Sequence, residues 1–442
     1  MKCLIIAAGE GSRLSHRGDS KPLVHLLELP LIERVISTAN RTGITNFYIV
    51  TGYNGEKLRN HLDRFSQDKA IEINHLINEE WEKENGLSVL KAKGEIEENF
   101  ILLMSDHIFD ESILNELLQE KIVDGEVMLV VDYNLENKIV DIDDVTKVLV
   151  DGNNRIVNIG KNIKKYNAYD TGIFLCSPAI FEALEEGSAR GETSLSAGIK
   201  ILAKKKKARI FDIKGNYWID VDDEKAFRKA ENILLANLKK TSDGPVSRHL
   251  NRPISTRISK YLLKKRITPN QVSFFSFTLS VIGALFFFLG GYVNLLIGGV
   301  LAQVSSIVDG CDGEIARLKF QRSEFGGWYD AVLDRYADAF LLFGLTYYVY
   351  FPGENFLYLL MGFLALIGSF MNSYTADKYD GLMKWRTVKE KYYFRIGRDV
   401  RMFIIFLGAL INQPVLILFI IAFTTNAENI RRIVVFYKKE VR

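Results

Sequence analysis

Asp309 and Asp312 are three residues apart and Asp330 and Asp334 four apart, in the stretch "IVDGCDGEIARLKFQRSEFGGWYDAVLDRYAD" that starts at Ile307. Spacings of three and four put each pair on one helical face. Hydrophobic runs precede and follow the stretch, so the carboxylates sit at the ends of segments bound for lipid. An ionisable group there marks a functional site by default, because charge in hydrocarbon is costly. Four carboxylates on adjacent helices repel one another unless a cation lies among them, and an all-oxygen donor set suits magnesium, manganese or calcium. The plainer use of these acids is helix capping and pairing with Arg317, Arg322 or Arg335. Four in this register favour metal over that use. Gly326 and Gly327 in the turn permit close backbone approach.

A second set lies in the N-terminal half. "LIIAAGEGSRL" reads as an apolar strand running into a glycine-bearing loop, whose backbone amides suit a nucleotide phosphate. "DSKPLVHL" follows, with Lys21 before Pro22. "FILLMSDHIFD" is a buried-type strand ending in Asp106, and "YWIDVDDEKAF" places Asp220 and Asp222 after another short strand. Ligands bind at strand carboxyl ends in a doubly wound sheet. His107 beside Asp106 reads as a supporting or structural residue.

The elements that must position these residues divide the chain in two. Its 442 residues exceed one ordinary domain. Charges are spread through 1–240, 241–247 reads as a short linker, and 248–442 carries long apolar runs between basic clusters. The expected fold is an α/β doubly wound, Rossmann-like domain followed by an all-α domain of six membrane helices. The spans fall at about 271–291, 293–316, 327–351, 355–377, 399–412 and 414–437. Alternate turns ("GGYVN", "FPGENF", "NQP") are nearly free of charge. The opposite ends hold clusters such as Lys264–Arg266, Arg317–Arg322, Lys378–Arg401 and Arg431–Arg442. This positive-inside asymmetry puts both termini and the four aspartates on the cytosolic side of the cell membrane. A net charge of +3 implies no polyanion, and hence no nucleic-acid partner. Cys3, Cys176 and Cys311 show no pairing or metal spacing and are expected as free thiols in a reducing compartment. The N-terminus lacks a signal peptide's long apolar core, so the first half is expected to stay in the cytosol.

The spacing Asp309-x2-Asp312-Gly313-x2-Ala316-Arg317-x8-Gly326-x3-Asp330-x3-Asp334 resembles in full the signature of the CDP-alcohol phosphotransferases. "NRPISTRISKYLLKKRITPNQVS" is similar to their amphipathic entry helix and first span. The resemblance covers about 248–442. It implies a six-helix membrane domain in the lipid bilayer, usually a homodimer, that moves a phosphoalcohol from a CDP-alcohol to a hydroxyl. Asp309, Asp312 and Asp330 would bind divalent metal, Mg2+ or Mn2+. Asp334 would be the general base, and is also counted with the metal ligands. Gly313, Ala316, Arg317 and Gly326 would face the nucleotide.

Residues 1–232 resemble the sugar-phosphate nucleotidyltransferases. Their nucleotide loop maps to Ala8, Gly9, Gly11, Ser12 and Arg13, and their active-site lysine to Lys21. Their metal-binding aspartates map to Asp106 and to Asp220, the latter with Asp222 and Asp223 close by. Glu84, Asn85 and Gly86 of "ENGLS" match the stretch that reads base and ribose. Asp170, Thr171 and Glu192 match the substrate side. The resemblance implies that a substrate phosphate, already largely dianionic near neutrality, attacks the α-phosphate of an NTP without a general base. Arg13, Lys21 and a metal on Asp106 and Asp220 would screen the charge.

One half thus makes a CDP-alcohol and the other consumes one. The pairing resembles bifunctional inositol-1-phosphate cytidylyltransferases fused to di-inositol-phosphate-phosphate synthases. It implies CTP, CDP-inositol and inositol phosphate as small-molecule substrates, in compatible-solute synthesis. A phospholipid enzyme using CDP-diacylglycerol, and a membrane-tethered nucleotide sensor, are the other readings. Between the fourth and fifth spans, Lys389, Lys391, Arg395, Arg398 and Arg401 are expected near the cytosolic mouth. Arg398 and Arg401 are first choices for the acceptor's phosphate, because the guanidinium fork suits it. The bland alternative is a loop that only obeys the positive-inside rule and touches head groups.

Overall fold

A computed structural model describes the chain except residues 68, 124, 138–139, 240–242, 386–395 and 441–442, together with the side chains of 377–385 and 439–440. Lys389, Lys391 and Arg395 fall outside the described residues. The chain forms two compact units, Met1–Ile233 and Leu234–Arg442, whose boundary falls inside the helix Glu224–Ala236.

The first unit is built on a nine-stranded sheet: β1 (Lys2–Ala7), β2 (Asn46–Thr51), β3 (Glu72–Ile77), β4 (Phe100–Met104), β5 (Val127–Asp132), β6 (Lys147–Val150), β7 (Ile156–Gly160), β8 (Ala168–Cys176) and β9 (Ala208–Asp212). The order is β7-β6-β8-β4-β1-β2-β3, with β5 on β8 and β9 on β5. β1 runs parallel to β2 and β4, whereas β8 is antiparallel to β4, β5 and β6. "FILLM" is apolar throughout, and "VMLVVD" is apolar up to its last residue, Asp132, because both faces are covered. Successive side chains of β1 alternate between two cores. Cys3, Ile5 and Ala7 pack with Ile32, Val35 and Ile36, while Leu4 and Ile6 pack with Val89, Leu184 and Ile199.

The sheet order reverses around β1, and ligands of such sheets bind outside the strand carboxyl ends at that point. The register pairs Ile6 with Met104, which sets the loop after β1 level with Asp106 after β4. A short antiparallel ribbon, His107–Phe109 with Trp218–Asp220, pairs Asp220 with His107. That ribbon brings residues far apart in sequence to one edge.

The second unit is helical: α1 (Arg252–Leu263), α2 (Pro269–Phe288), α3 (Tyr292–Leu318), α4 (Glu324–Tyr350), α5 (Phe356–Trp385), α6 (Arg398–Leu410) and α7 (Pro414–Glu440). α2 starts on a capping box, Thr268 with Gln271, followed by Pro269 at the first helical position. α3 packs on α1, α2 and α6, α4 on α2 and α5, and α5 on α7. Leu295, Leu341, Ile405 and Ile421 belong to the shared core. Phe274, Phe275, Leu285, Phe356 and Phe363 stay exposed on the outside, as side chains meeting lipid do. Among the described residues, three helices are long and apolar enough to cross a membrane: Pro269–Phe288, Tyr292–Leu318 and Phe356–Ala376. Among the described residues six helices follow α1, of which α6 spans only 13 residues, roughly 20 Å.

Candidate active sites

In the first unit, the loop after β1 is held by Ala8, whose carbonyl accepts from Tyr53 N at 3.0 Å. Gly9 and Ser12 are exposed. Gly11 has φ +65°, and a Cβ there would lie 2.3 Å from Lys21 Cβ, so only glycine lets Lys21 pack beneath the loop. Lys21 is buried, with Nζ donating to Asp106 Oδ2 at 2.5 Å and to Asp222 Oδ1. Burial opposes its charge, but Asp106, Asp220 and Asp222 outweigh it and raise the lysine's pKa. Arg13 donates to Asp144 Oδ2 at 2.7 Å and Asp222 Oδ2 at 2.8 Å. Lys161 donates to the other oxygen of Asp144 at 2.5 Å.

Asp220 and Asp222 have different partners. Asp222 carries the Lys21 and Arg13 contacts, and burial and then Asp220 push its carboxyl up to about 6. Asp220 lies with Asp106 and His107, and ligand atoms of the three lie within 4.8 Å of one another. Burial alone would raise Asp220, but His107 and Lys21 hold it at about 2. His107 donates from Nδ1 to the Thr171 carbonyl at 2.7 Å. Its Nε2 lies 3.4 Å from Asp220 Oδ2 and 3.8 Å from Asp106 Oδ1. Burial lowers its pKa, yet the two carboxylates lift it to about 10.

A cavity of about 470 Å³ opens beside this cluster, lined among others by Arg13, Asn85, Asp144, Lys161, Asp170 and Asp220. Asp170 is raised to about 6 by burial. Glu84 accepts from Thr193 N at 3.2 Å, and Asn85 from Leu195 N at 3.0 Å, which ties the "ENGLS" turn to the 193–195 segment. A Cβ on Gly86 would strike the Thr193 carbonyl at 2.3 Å. Two of the residues expected on the substrate side are placed apart from the cavity. The Thr171 hydroxyl is buried on Val130 O at 2.8 Å, leaving only its carbonyl to act, through His107. Glu192 is exposed and is not among the lining residues.

In the second unit, the four aspartates come from the end of α3 and the start of α4. Ser323 caps α4 by accepting from Gly326 N at 3.0 Å, and a Cβ on Gly326 would approach Asn270 Oδ1 at 3.3 Å. Carboxylate oxygens of Asp309, Asp330 and Asp334 lie within 4.8 Å of one another. Asp312 turns toward α2, accepting from the Ser273 hydroxyl. Ala316 is buried, a Cβ on Gly313 would lie 3.3 Å from Arg317 NH1, and Arg317 donates to Leu238 O at 3.0 Å. The oxygen-only donor set in a unit rich in apolar surface fits a hard divalent cation. Acidic clusters able to hold a metal ion thus occur in both units.

The arginines take up positions that the sequence does not disclose. Arg398 NH1 lies 3.0 Å from Asp309 Oδ1 and 2.7 Å from Asp334 Oδ1, on the carboxylates themselves. Arg401 is 2% exposed and donates to Asp338 Oδ2 at 2.6 Å, behind the site rather than at its mouth. Asp338, which sequence reasoning missed, also accepts from Ser369 at 2.9 Å and lies 3.5 Å from Arg398 Nε. Its signal was present: it extends the Asp330, Asp334 series by another four residues. Asp144 and Glu314 were missed as well. Glu314 is fully buried, accepting from Ser255 at 2.6 Å, Ser259 at 2.7 Å and Arg252 at 2.8 Å. A polar pocket of about 110 Å³ opens onto Asp309, Asp334 and Arg398 from the side of Ser247, Asn251 and Ser306.

The family pattern described as Nucleotidyl transferase matches residues 2–237, and that described as CDP-alcohol phosphatidyltransferase matches 266–426. The chain is 35% identical to the "Bifunctional IPC transferase and DIPP synthase" of Aquifex aeolicus, over 99% of this chain and 98% of that protein. It is 34% identical to the protein of the same name from Archaeoglobus fulgidus, over 93% of this chain and 79% of the relative. A solved structure titled "Structure of the inositol-1-phosphate CTP transferase from T. maritima" aligns with 52% of this chain and 94% of its own, at 24% identity and a TM-score of 0.47. With both domains present and aligned from end to end with such relatives, the chain is a transferase that belongs to the family of bifunctional IPC transferases and DIPP synthases.

Proposed function

We propose that the first unit transfers CMP from CTP to inositol 1-phosphate, and that the second transfers the resulting phosphoinositol group to another inositol 1-phosphate. The products are pyrophosphate and CDP-inositol, then CMP and a phosphorylated di-inositol phosphate. The observation carrying this reading is the near full-length similarity to relatives whose names pair the two activities.

In the first step, an oxygen of the substrate phosphate bonds to the α-phosphorus of CTP as the bond to pyrophosphate breaks. The amides of the Ala8–Ser12 loop, Arg13 and Lys21 hold the triphosphate, and Asn85 with the "ENGLS" turn positions the nucleoside. Arg13 must exchange its contacts to Asp144 and Asp222 for phosphate. Lys161 and Asp170 lie on the cavity wall, where they suit the phosphate and a hydroxyl of the polyol. In the second step, Asp334 takes the proton of the acceptor hydroxyl, which attacks the donor's β-phosphorus as CMP leaves. Arg398, beside Asp334, binds the acceptor's phosphate. Asp106 and Asp220 in one unit, and Asp309, Asp312, Asp330 and Asp334 in the other, would hold Mg2+ or Mn2+. The bound cations supply charge neutralisation to the diphosphate groups. Six spans, a homodimer formed through the membrane unit, and both sites on the cytosolic side of the cell membrane complete the proposal.

The test is product analysis of purified protein given CTP, magnesium and inositol 1-phosphate. CDP-inositol followed by the phosphorylated di-inositol phosphate is expected. Phospholipid from CDP-diacylglycerol, with no di-inositol product, would overturn the reading.

A further inference from the structure

His107 is held more rigidly than a supporting residue needs. Its Nδ1 faces the Thr171 carbonyl at 2.7 Å, and a carbonyl can only accept, so Nδ1 carries the hydrogen. Gly172, with φ +73°, presses against the ring, and a Cβ there would sit 2.2 Å from Nδ1. The bulge in β8 between Asp170 and Phe174 creates that contact. With its tilt fixed, the ring aims Nε2 at Asp220 Oδ2 and Asp106 Oδ1, so a cation held by the two carboxylates would meet this nitrogen. Lys21 occupies the other oxygen of Asp106, and the remaining Asp220 oxygen, Oδ1, is buried without a hydrogen-bond partner. A ligating histidine is usually oriented in this way, by a hydrogen bond from its far nitrogen to a backbone carbonyl.

We propose that His107 is the third protein ligand of the divalent-cation site formed with Asp106 and Asp220, and that it biases the site toward a first-row transition ion such as Mn2+ over Mg2+. The proposal rests on the reading of the first unit as a metal-using cytidylyltransferase. Imidazole favours transition ions, whereas Mg2+ is served by oxygen ligands and water. The plainer role is a protonated His107 acting as counter-ion to Asp220.

Pulsed electron paramagnetic resonance on Mn2+ bound to the full chain in detergent separates the two. An Asp309→Asn, Asp330→Asn background keeps the ion out of the membrane unit, whose described candidate ligands are all oxygens. Directly bound nitrogen is expected to modulate the echo, and 15N-histidine labelling should change the modulation without any substitution at the site. His107→Gln should abolish it and weaken Mn2+ binding about 10–100-fold, the range seen when even the outer partners of a ligating histidine are removed. Mg2+ binding should change far less. Stoichiometric Mn2+ with no nitrogen coupling, in protein that still makes CDP-alcohol from CTP, overturns the ligand assignment. Nitrogen coupling in protein that makes no CDP-alcohol would support the ligand set and count against the functional reading instead.

Discussion

Arg398 is the side chain on which the second site turns. It touches Asp309 and Asp334 at once, and Asp338 lies within 3.5 Å of its Nε. Asp338 in turn pairs with Arg401, so a buried acid–arginine pair helps set where the guanidinium sits. Arg398→Ala should therefore raise KM for the phosphorylated acceptor and also lower kcat, because it removes both a phosphate contact and a neighbour of the base. A change in KM alone would limit Arg398 to binding. Asp338→Ala leaves two buried arginines without their shared carboxylate, and breaking such a pair costs roughly 3–5 kcal/mol. A lower thermal transition in detergent, together with loss of phosphoalcohol transfer, is expected. The signature aspartates were legible because spacing on a helix is local. Arg398 could be suspected from the sequence, but its contact with Asp334 could not, since it depends on how α6 packs against α3 and α4. Asp144 left no trace at all, because its link to Arg13 crosses 131 residues of chain.

At the scale of elements, α1 reads in sequence as an amphipathic helix. In the structure, Ser255 and Ser259, one turn apart, face inward and hold Glu314 of α3, with Arg252 completing the set. Periodicity shows which residues share a face, but not whether that face meets water or a buried carboxylate. The helices of the second unit were legible to within a few residues, apart from the end of α5, which runs on to Trp385 past the expected 377, because long apolar runs between basic clusters leave few alternatives. The ribbon that brings Asp220 to His107 was not, since it pairs short strands whose sequence separation is large. Ser259→Ala removes one charge-assisted hydrogen bond from buried Glu314, a loss of about 1.5–3 kcal/mol. Glu314→Ala should cost more, toward the lower end of roughly 3–5 kcal/mol, because Arg252 keeps its pair with Asp243 at 2.9 Å. Denaturation of the purified chain in detergent would rank the two. The reverse order would mean that the serines, not the charge pair, fasten α1.

For the whole molecule, the question is whether two sites in one chain behave as two enzymes. Each compact unit carries its own acidic cluster and its own cationic side chains, Lys21 and Arg13 in one, Arg398 in the other. Lys21→Ala should lower CTP-dependent CDP-alcohol formation by about 10²–10³-fold, the scale for removing one preorganised charge contact. Transfer from supplied CDP-alcohol should persist. Asp330→Asn should do the reverse, stopping transfer and letting CDP-alcohol accumulate from CTP. Each variant then supplies what the other lacks, and the intermediate is a charged, soluble molecule that can leave one chain and reach another. Mixing the two proteins with CTP and inositol 1-phosphate should restore the final product, after a lag that shortens as protein concentration rises. Chromatography of the nucleotide products over time would follow this directly. No restoration on mixing, with the CDP-alcohol made by the Asp330→Asn protein stopping at one equivalent per chain, would mean that the intermediate stays bound and is not released to another molecule.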